Sequence, residues 1–145
     1  MTIELRPIDE ENFRPVVGLD VRPGQNTFVA TNVFSIAESK VSPYLEPRAV
    51  YAEGELVGFT LYGRDPETGK YWIVRLMVDA AHQGKGYGRA AVLALIEELR
   101  AMPECSEIFL SLVPGNEAAE GLYQSVGFER TGEIADGEIV MSYSL

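Results

Sequence analysis

The chain has 145 residues with a formal net charge of −10. That length suits one domain with a full core, and the acidity argues against a nucleic-acid partner, whose phosphates call for a basic face. One cysteine, Cys105, and one histidine, His82, exclude an internal disulfide and any cysteine- or histidine-rich metal site.

No segment approaches ~18 consecutive apolar residues, and residues 2–5 are too short for a secretory leader. A soluble cytoplasmic protein with no membrane association is therefore expected. In chain order, Ile3 and Leu5 alternate with polar residues, so residues 2–6 read as a first strand. Asp9 can cap a short helix over residues 10–19, Pro23-Gly24 breaks the chain, and residues 28–39 carry a weak helical pattern. Strands follow over residues 48–52 and 56–63, joined at Glu53-Gly54-Glu55. After the turn at 65–69, residues 70–78 form a third strand, with Trp72, Val74, Leu76 and Val78 expected on one face.

A knot of glycines then opens a helix over residues 86–101, whose apolar stripe is Val92, Leu95, Ile96 and Leu99. Residues 108–113 are almost continuously apolar, the pattern of a strand buried on both faces. Asn116 is a good N-cap for a helix that ends at Gly127. Residues 128–133 and 138–143 pair across Asp136-Gly137 as a last hairpin. The sum is an α/β (α+β) fold: a mixed, mostly antiparallel sheet of six to seven strands flanked by about four helices.

Three phosphate-binding schemes compete for the glycines. A Walker loop needs Ser or Thr after Gly-Lys, but Gly84-Lys85 is followed by Gly86. A dinucleotide fingerprint needs a carboxylate at the end of the next strand, and that strand ends Leu112-Val113-Pro114. The third scheme is Gln/Arg-x-x-Gly-x-Gly/Ala between a strand and a helix. Gln83-Gly84-Lys85-Gly86-Tyr87-Gly88 resembles it at every defined position. Glycine backbone can approach phosphate oxygens closely, and a helix N-terminus directs free N–H groups and a positive dipole end at the same anion. Lys85 and Arg89 can add charge.

This motif is the pyrophosphate loop of the GCN5-related N-acetyltransferases. Roughly thirty residues further on, NEAAEGLYQSVGFERTGE resembles that family's next helix. Asn116 and Tyr123 stand seven residues apart, two turns on one helix face, with Ala119 between them. The resemblance covers nearly the whole chain and implies a single N-acetyltransferase domain over residues 1–145, with acetyl-CoA as cosubstrate and no metal. It further implies that Leu76, Met77 and Val78 hold the pantetheine arm through their backbone, and that Tyr123 is the general acid for the departing thiolate. For Tyr123 the plain alternative is a core aromatic packed on Phe128.

YWIVRLMVD, QGKGYG, LYQSVGF and the opening QNTFVATNVFSIAES also resemble bacterial spermine/spermidine acetyltransferases. That implies a polyamine acceptor, and an acidic surface that concentrates cations agrees with it. A primary amine with a pKa of about 10.4 is almost wholly protonated at pH 7, so the enzyme must bind an ammonium and remove a proton before direct attack on the thioester. Some polyamine-acetylating relatives carry a carboxylate in mid-strand, where this chain has Val74 beside Arg75. Deprotonation through water is then the alternative. Arg75 and Asp79 are expected to form an ion pair, and Trp72, Tyr44 and Tyr62 are candidates for an alkyl-ammonium pocket. A homodimer, another small amine or a protein N-terminus as acceptor, and a non-catalytic acyl-coenzyme sensor stay open at this point.

Overall fold

The computed structural model describes residues 1–25 and 28–145; residues 26 and 27, inside the QNTF stretch, lie outside the described residues. Seven strands form one sheet in the order β1-β2-β3-β4-β5-β7-β6. They are β1 (Ile3–Pro7), β2 (Leu45–Ala52), β3 (Glu55–Arg64), β4 (Tyr71–Val78), β5 (Glu107–Leu112), β6 (Glu129–Ala135) and β7 (Glu138–Ser144). Every pairing is antiparallel except β4 with β5. The α-helices are α1 (Phe13–Gly18), α2 (Asn32–Val41), α3 (Tyr87–Arg100) and α4 (Glu117–Val126).

Helices cover both faces of the sheet. On one, Val92, Leu95 and Leu99 of α3 pack against Ile73, Ile108 and Leu110, and α4 adds Leu122, Tyr123 and Val126 at the margin. On the other, Val16 of α1 and Ile36 of α2 meet Phe59, Leu61 and Met77. The first two helices start later than the sequence suggests. Asp9 accepts from the N–H groups of Glu11 and Asn12, each at 2.9 Å, and so closes a turn before α1 instead of capping a helix at residue 10. Thr31 is the cap of α2, accepting from Phe34 N–H at 3.3 Å. That helix reads weakly because its polarity is inverted. Asn32 and Ser35 are buried while Val33, Phe34 and Val41 are exposed, and Asn32 Nδ2 satisfies itself on the Val16 carbonyl at 2.9 Å.

One expected face is wrong. Leu61 pairs with Arg75 but Tyr62 pairs with Ile73, so Val74 is an extra residue, a β-bulge. Before it, Tyr71 and Ile73 face α3; after it, Leu76 does, while Met77 faces α1. The bulge shifts the alternation by one, so Trp72, Val74, Leu76 and Val78 do not share a face.

Candidate active site

The site begins where two strands separate. β4 and β5 pair only through Tyr71–Ile108, Trp72–Phe109 and Ile73–Leu110. Beyond the bulge they part, and a cleft of about 1070 Å³ opens between residues 73–78 and 110–113. One side of β4 thereby loses its partner. The Arg75 carbonyl accepts from Thr60 Oγ1 on β3 at 2.8 Å, and Asp79 N–H donates to the Val57 carbonyl. Alternation then turns the N–H and C=O of Leu76 and Val78 toward the cleft. The Val78 carbonyl is taken by Gln83 Nε2 at 2.9 Å, which also donates to Gln25 Oε1. Leu76 N–H and C=O and Val78 N–H remain directed at the opening. Met77 lines the cleft, but its carbonyl points to Gly58 on β3 and its side chain to the core beneath α1.

The far end of the cleft is the start of α3. Its N-cap is Gly86, in the left-handed region at φ +84°, and no side chain caps it. The first helical bond runs from Ala90 N–H to the Gly86 carbonyl, which leaves the first-turn N–H groups without helical partners. A Cβ at Gly86 would come no nearer to the protein than 3.9 Å from Met1 Cε, so the backbone conformation demands glycine and the packing does not. Gly88 differs: a Cβ there would lie 3.4 Å from Leu122 Cδ2 and 3.8 Å from Val78 Cγ2, so its smallness brings α3, α4 and β4 together. Gln83, Gly84, Gly86, Tyr87, Gly88 and Arg89 all line the cleft, whereas Lys85 is exposed outside it.

α4 supplies the opposite wall. Asn116 caps it, its Oδ1 accepting from Ala119 N–H at 3.4 Å, and Gly127 ends it at φ +125°. Asn116, Ala119 and Tyr123 all line the cleft. The Tyr123 ring meets Phe128 edge-on with centroids 5.6 Å apart. Both roles foreseen for this residue, packing and cleft lining, therefore coexist. Burial of the phenol pushes its pKa up to about 12, because a phenolate would be stripped of water. The group stays protonated at neutral pH and can donate.

The acceptor side departs further from expectation. Arg75 lines the cleft but does not pair with Asp79: its Nη1 donates to Glu38 Oε1 on α2, and its guanidinium lies 5.5 Å from the Phe34 ring. Asp79 instead accepts from Asp20 N–H at 3.0 Å. The bulge explains this, since it turns Arg75 toward α2. Trp72 stacks on Phe109 and Tyr44 is exposed at the entry to β2; neither lines the cleft. Tyr62 is buried, its hydroxyl 3.1 Å from Glu98 Oε2, and is a core residue. Sequence reasoning passed over Ser111 and Glu138, which line the cleft joined by a 2.8 Å hydrogen bond. The available signal was a lone polar residue inside the apolar run 108–113. Among the described residues no cluster of His, Cys, Asp and Glu could hold a metal ion, and no helix is long and apolar enough to cross a membrane.

Known proteins bear on this geometry. The model of the acetyltransferase (GNAT) family matches residues 10–128. A spermine/spermidine N(1)-acetyltransferase of Bacillus subtilis (strain 168) is 34% identical over 148 aligned residues, 97% of each chain. Among solved structures, aminoglycoside acetyltransferase AAC(6')-Ib in complex with coenzyme A superposes with a TM-score of 0.82 at 21% identity, over 99% of this chain and 95% of that one. The spermidine N-acetyltransferase of Vibrio cholerae, in complex with CoA and spermine, gives 0.74 at 17% identity, over 98% and 95%. The two solved structures share the fold.

Proposed function

The chain belongs to the acetyltransferase (GNAT) family and is an acetyl-CoA-dependent N-acetyltransferase, and from that premise we propose that its acceptor is a primary amine of a polyamine such as spermine or spermidine. The observation that carries the site is the parting of β4 from β5, which leaves strand backbone facing a cleft that ends at an uncapped helix. Such a cleft fits a long molecule with amides along its arm and phosphates at its end. Bound acetyl-CoA supplies the activated acetyl group. The first-turn N–H groups of α3, with Arg89 beside them, receive the diphosphate. Leu76 N–H and C=O and Val78 N–H pair with the pantetheine amides as a missing strand would. Ala119 leaves room for that arm, and Tyr123 Oη holds a proton for the departing sulfur.

The polyamine reading is supported by the Bacillus subtilis relative, which matches over 97% of both chains. The net charge of −10 favours a polycation through long-range attraction. The test is a panel of polyamines, alkyl monoamines, aminoglycosides and N-terminal peptides incubated with acetyl-CoA, with free thiol as the readout. Spermine or spermidine is expected to exceed monoamines of similar length in kcat/KM, and the margin should shrink with added salt, since screening limits exposed charges to about 8 Å at physiological ionic strength. A higher kcat/KM for aminoglycosides or peptides would overturn the polyamine reading and leave the acetyltransferase standing.

A further inference from the structure

We propose that Glu138 and Ser111 form an ammonium-binding subsite that selects acceptors carrying a second positive charge; the inference rests on the polyamine reading. Leu110 and Leu112 face α3, so Ser111 between them faces the other way. Ser111 pairs with Val140 across β5 and β7, and Glu138, two residues along, lies on the same face as Val140. The Ser111 hydroxyl donates to Glu138 Oε1 at 2.8 Å and steers the carboxylate into the cleft. The subsite therefore opens on the sheet face opposite Tyr123, which belongs to the α3 and α4 side. An acceptor would enter from this face while the thioester's proton donor stands on the other.

The charges around the cleft single out the same residue. Glu138 and Glu117 are the carboxylates that line it among the described residues. Glu117 is exposed in the first turn of α4, beside the coenzyme wall. Glu38 is taken by Arg75, and Asp79 by Asp20 N–H. Glu138 is half-buried and has no ion-pair partner among the described residues. Its bond from Ser111 occupies one oxygen, and a carboxylate has lone pairs to spare for an ammonium. A polyamine can place its reacting nitrogen in the gap between β4 and β5 and a second ammonium on this pair.

The test compares spermidine with an n-alkyl monoamine of similar length, using wild-type enzyme, Glu138→Gln and Glu138→Asp. Glutamine keeps the shape and the acceptor for Ser111 but removes the charge. A hydrogen bond to a charged group is worth enough to raise KM for spermidine about 10- to 100-fold, with kcat within about threefold and the monoamine and coenzyme affinities unchanged. Aspartate should restore part of the loss. Ser111→Ala frees the carboxylate from its guide and should raise KM in the same direction by a smaller factor. A wild-type preference for spermidine that survives in Glu138→Gln overturns the subsite alone. A wild-type enzyme with no such preference overturns the polyamine reading beneath it.

Discussion

Replacing Tyr123 by phenylalanine removes one oxygen from the α4 wall of the cleft and separates packing from chemistry at that residue. The ring makes an edge contact with Phe128 at 5.6 Å, and phenylalanine keeps it. The hydroxyl has no hydrogen-bond partner among the described residues, so its loss strands no donor or acceptor. Stability should therefore change by less than about 0.5 kcal/mol, the usual range for a substitution that opens no cavity and leaves no polar group unpaired. Catalysis should change far more. A positioned general acid contributes about 10²- to 10⁴-fold, which is about 3 to 5 kcal/mol of barrier at 1.36 kcal/mol per tenfold. The pKa of about 12 makes the donor protonated over the whole working range, so kcat of the wild-type enzyme should show no alkaline fall from this group below about pH 11. Steady-state kinetics with free thiol as readout, beside calorimetry of coenzyme binding, checks both halves. The expectation is a kcat lowered at least a hundredfold, with coenzyme affinity within about tenfold, or 1.4 kcal/mol. A kcat within about twofold, against the far larger cost of a lost general acid, would reduce Tyr123 to a packing residue.

Three further predictions are independent of that one. Gly86→Val places a β-branched side chain at φ +84°, a strain of about 1–2 kcal/mol, in space the protein itself leaves open; coenzyme affinity should fall more than about tenfold, and a folded variant with unchanged affinity by calorimetry would remove the loop from the binding site. Two glycine-to-alanine changes should move stability in opposite directions in chemical denaturation. In Gly58→Ala the new Cβ would stand 2.4 Å from the Met77 carbonyl oxygen and should cost about 1–3 kcal/mol, while Gly121→Ala meets nothing within 4 Å inside α4 and should gain about 0.5–1 kcal/mol; equal effects would refute the packing described. Alkaline conditions should destabilise the fold through Tyr62 and Tyr123, both raised by burial to about 12. The fold favours their protonated forms, so stability is full below about pH 10 and is lost as pH rises toward 12, by about 2 to 3 kcal/mol for each group; urea midpoints flat from pH 8 to 11.5 would contradict it.

The parts of the molecule that sequence exposed are those fixed by local chemistry. Glycines before an amphipathic stripe located α3, and Asn116 with Gly127 bracketed α4, because caps and helical spacing are written within a few residues. The cleft lining at Gln83, Gly86 and Tyr123 followed from the same local signals. What escaped depends on contacts distant in sequence. The partner of Arg75 is 37 residues away on α2, and the partner of Ser111 is 27 residues away on β7. Neither spacing is readable until the sheet is assembled. The late start of α2 was hidden because the protein buries Asn32 and Ser35 there, against the usual rule of polarity.

The extra residue at Val74 also sets how tolerant β4 is of insertion and loss. A strand side chain has a period of two, so one residue more or fewer exchanges the faces of everything downstream. Deleting Val74 would restore an unbroken ladder with β3 and would read, locally, as a repair. It would also swap Leu76 with Met77, turn the free amides away from the cleft and rotate the start of the glycine loop by half a pleat. A lineage can therefore exchange side chains along this strand freely, yet it cannot change the count of residues between Ile73 and Gln83 by one without losing the coenzyme. In a family that varies its acceptors widely, length here is the heritable quantity, and composition is the variable one.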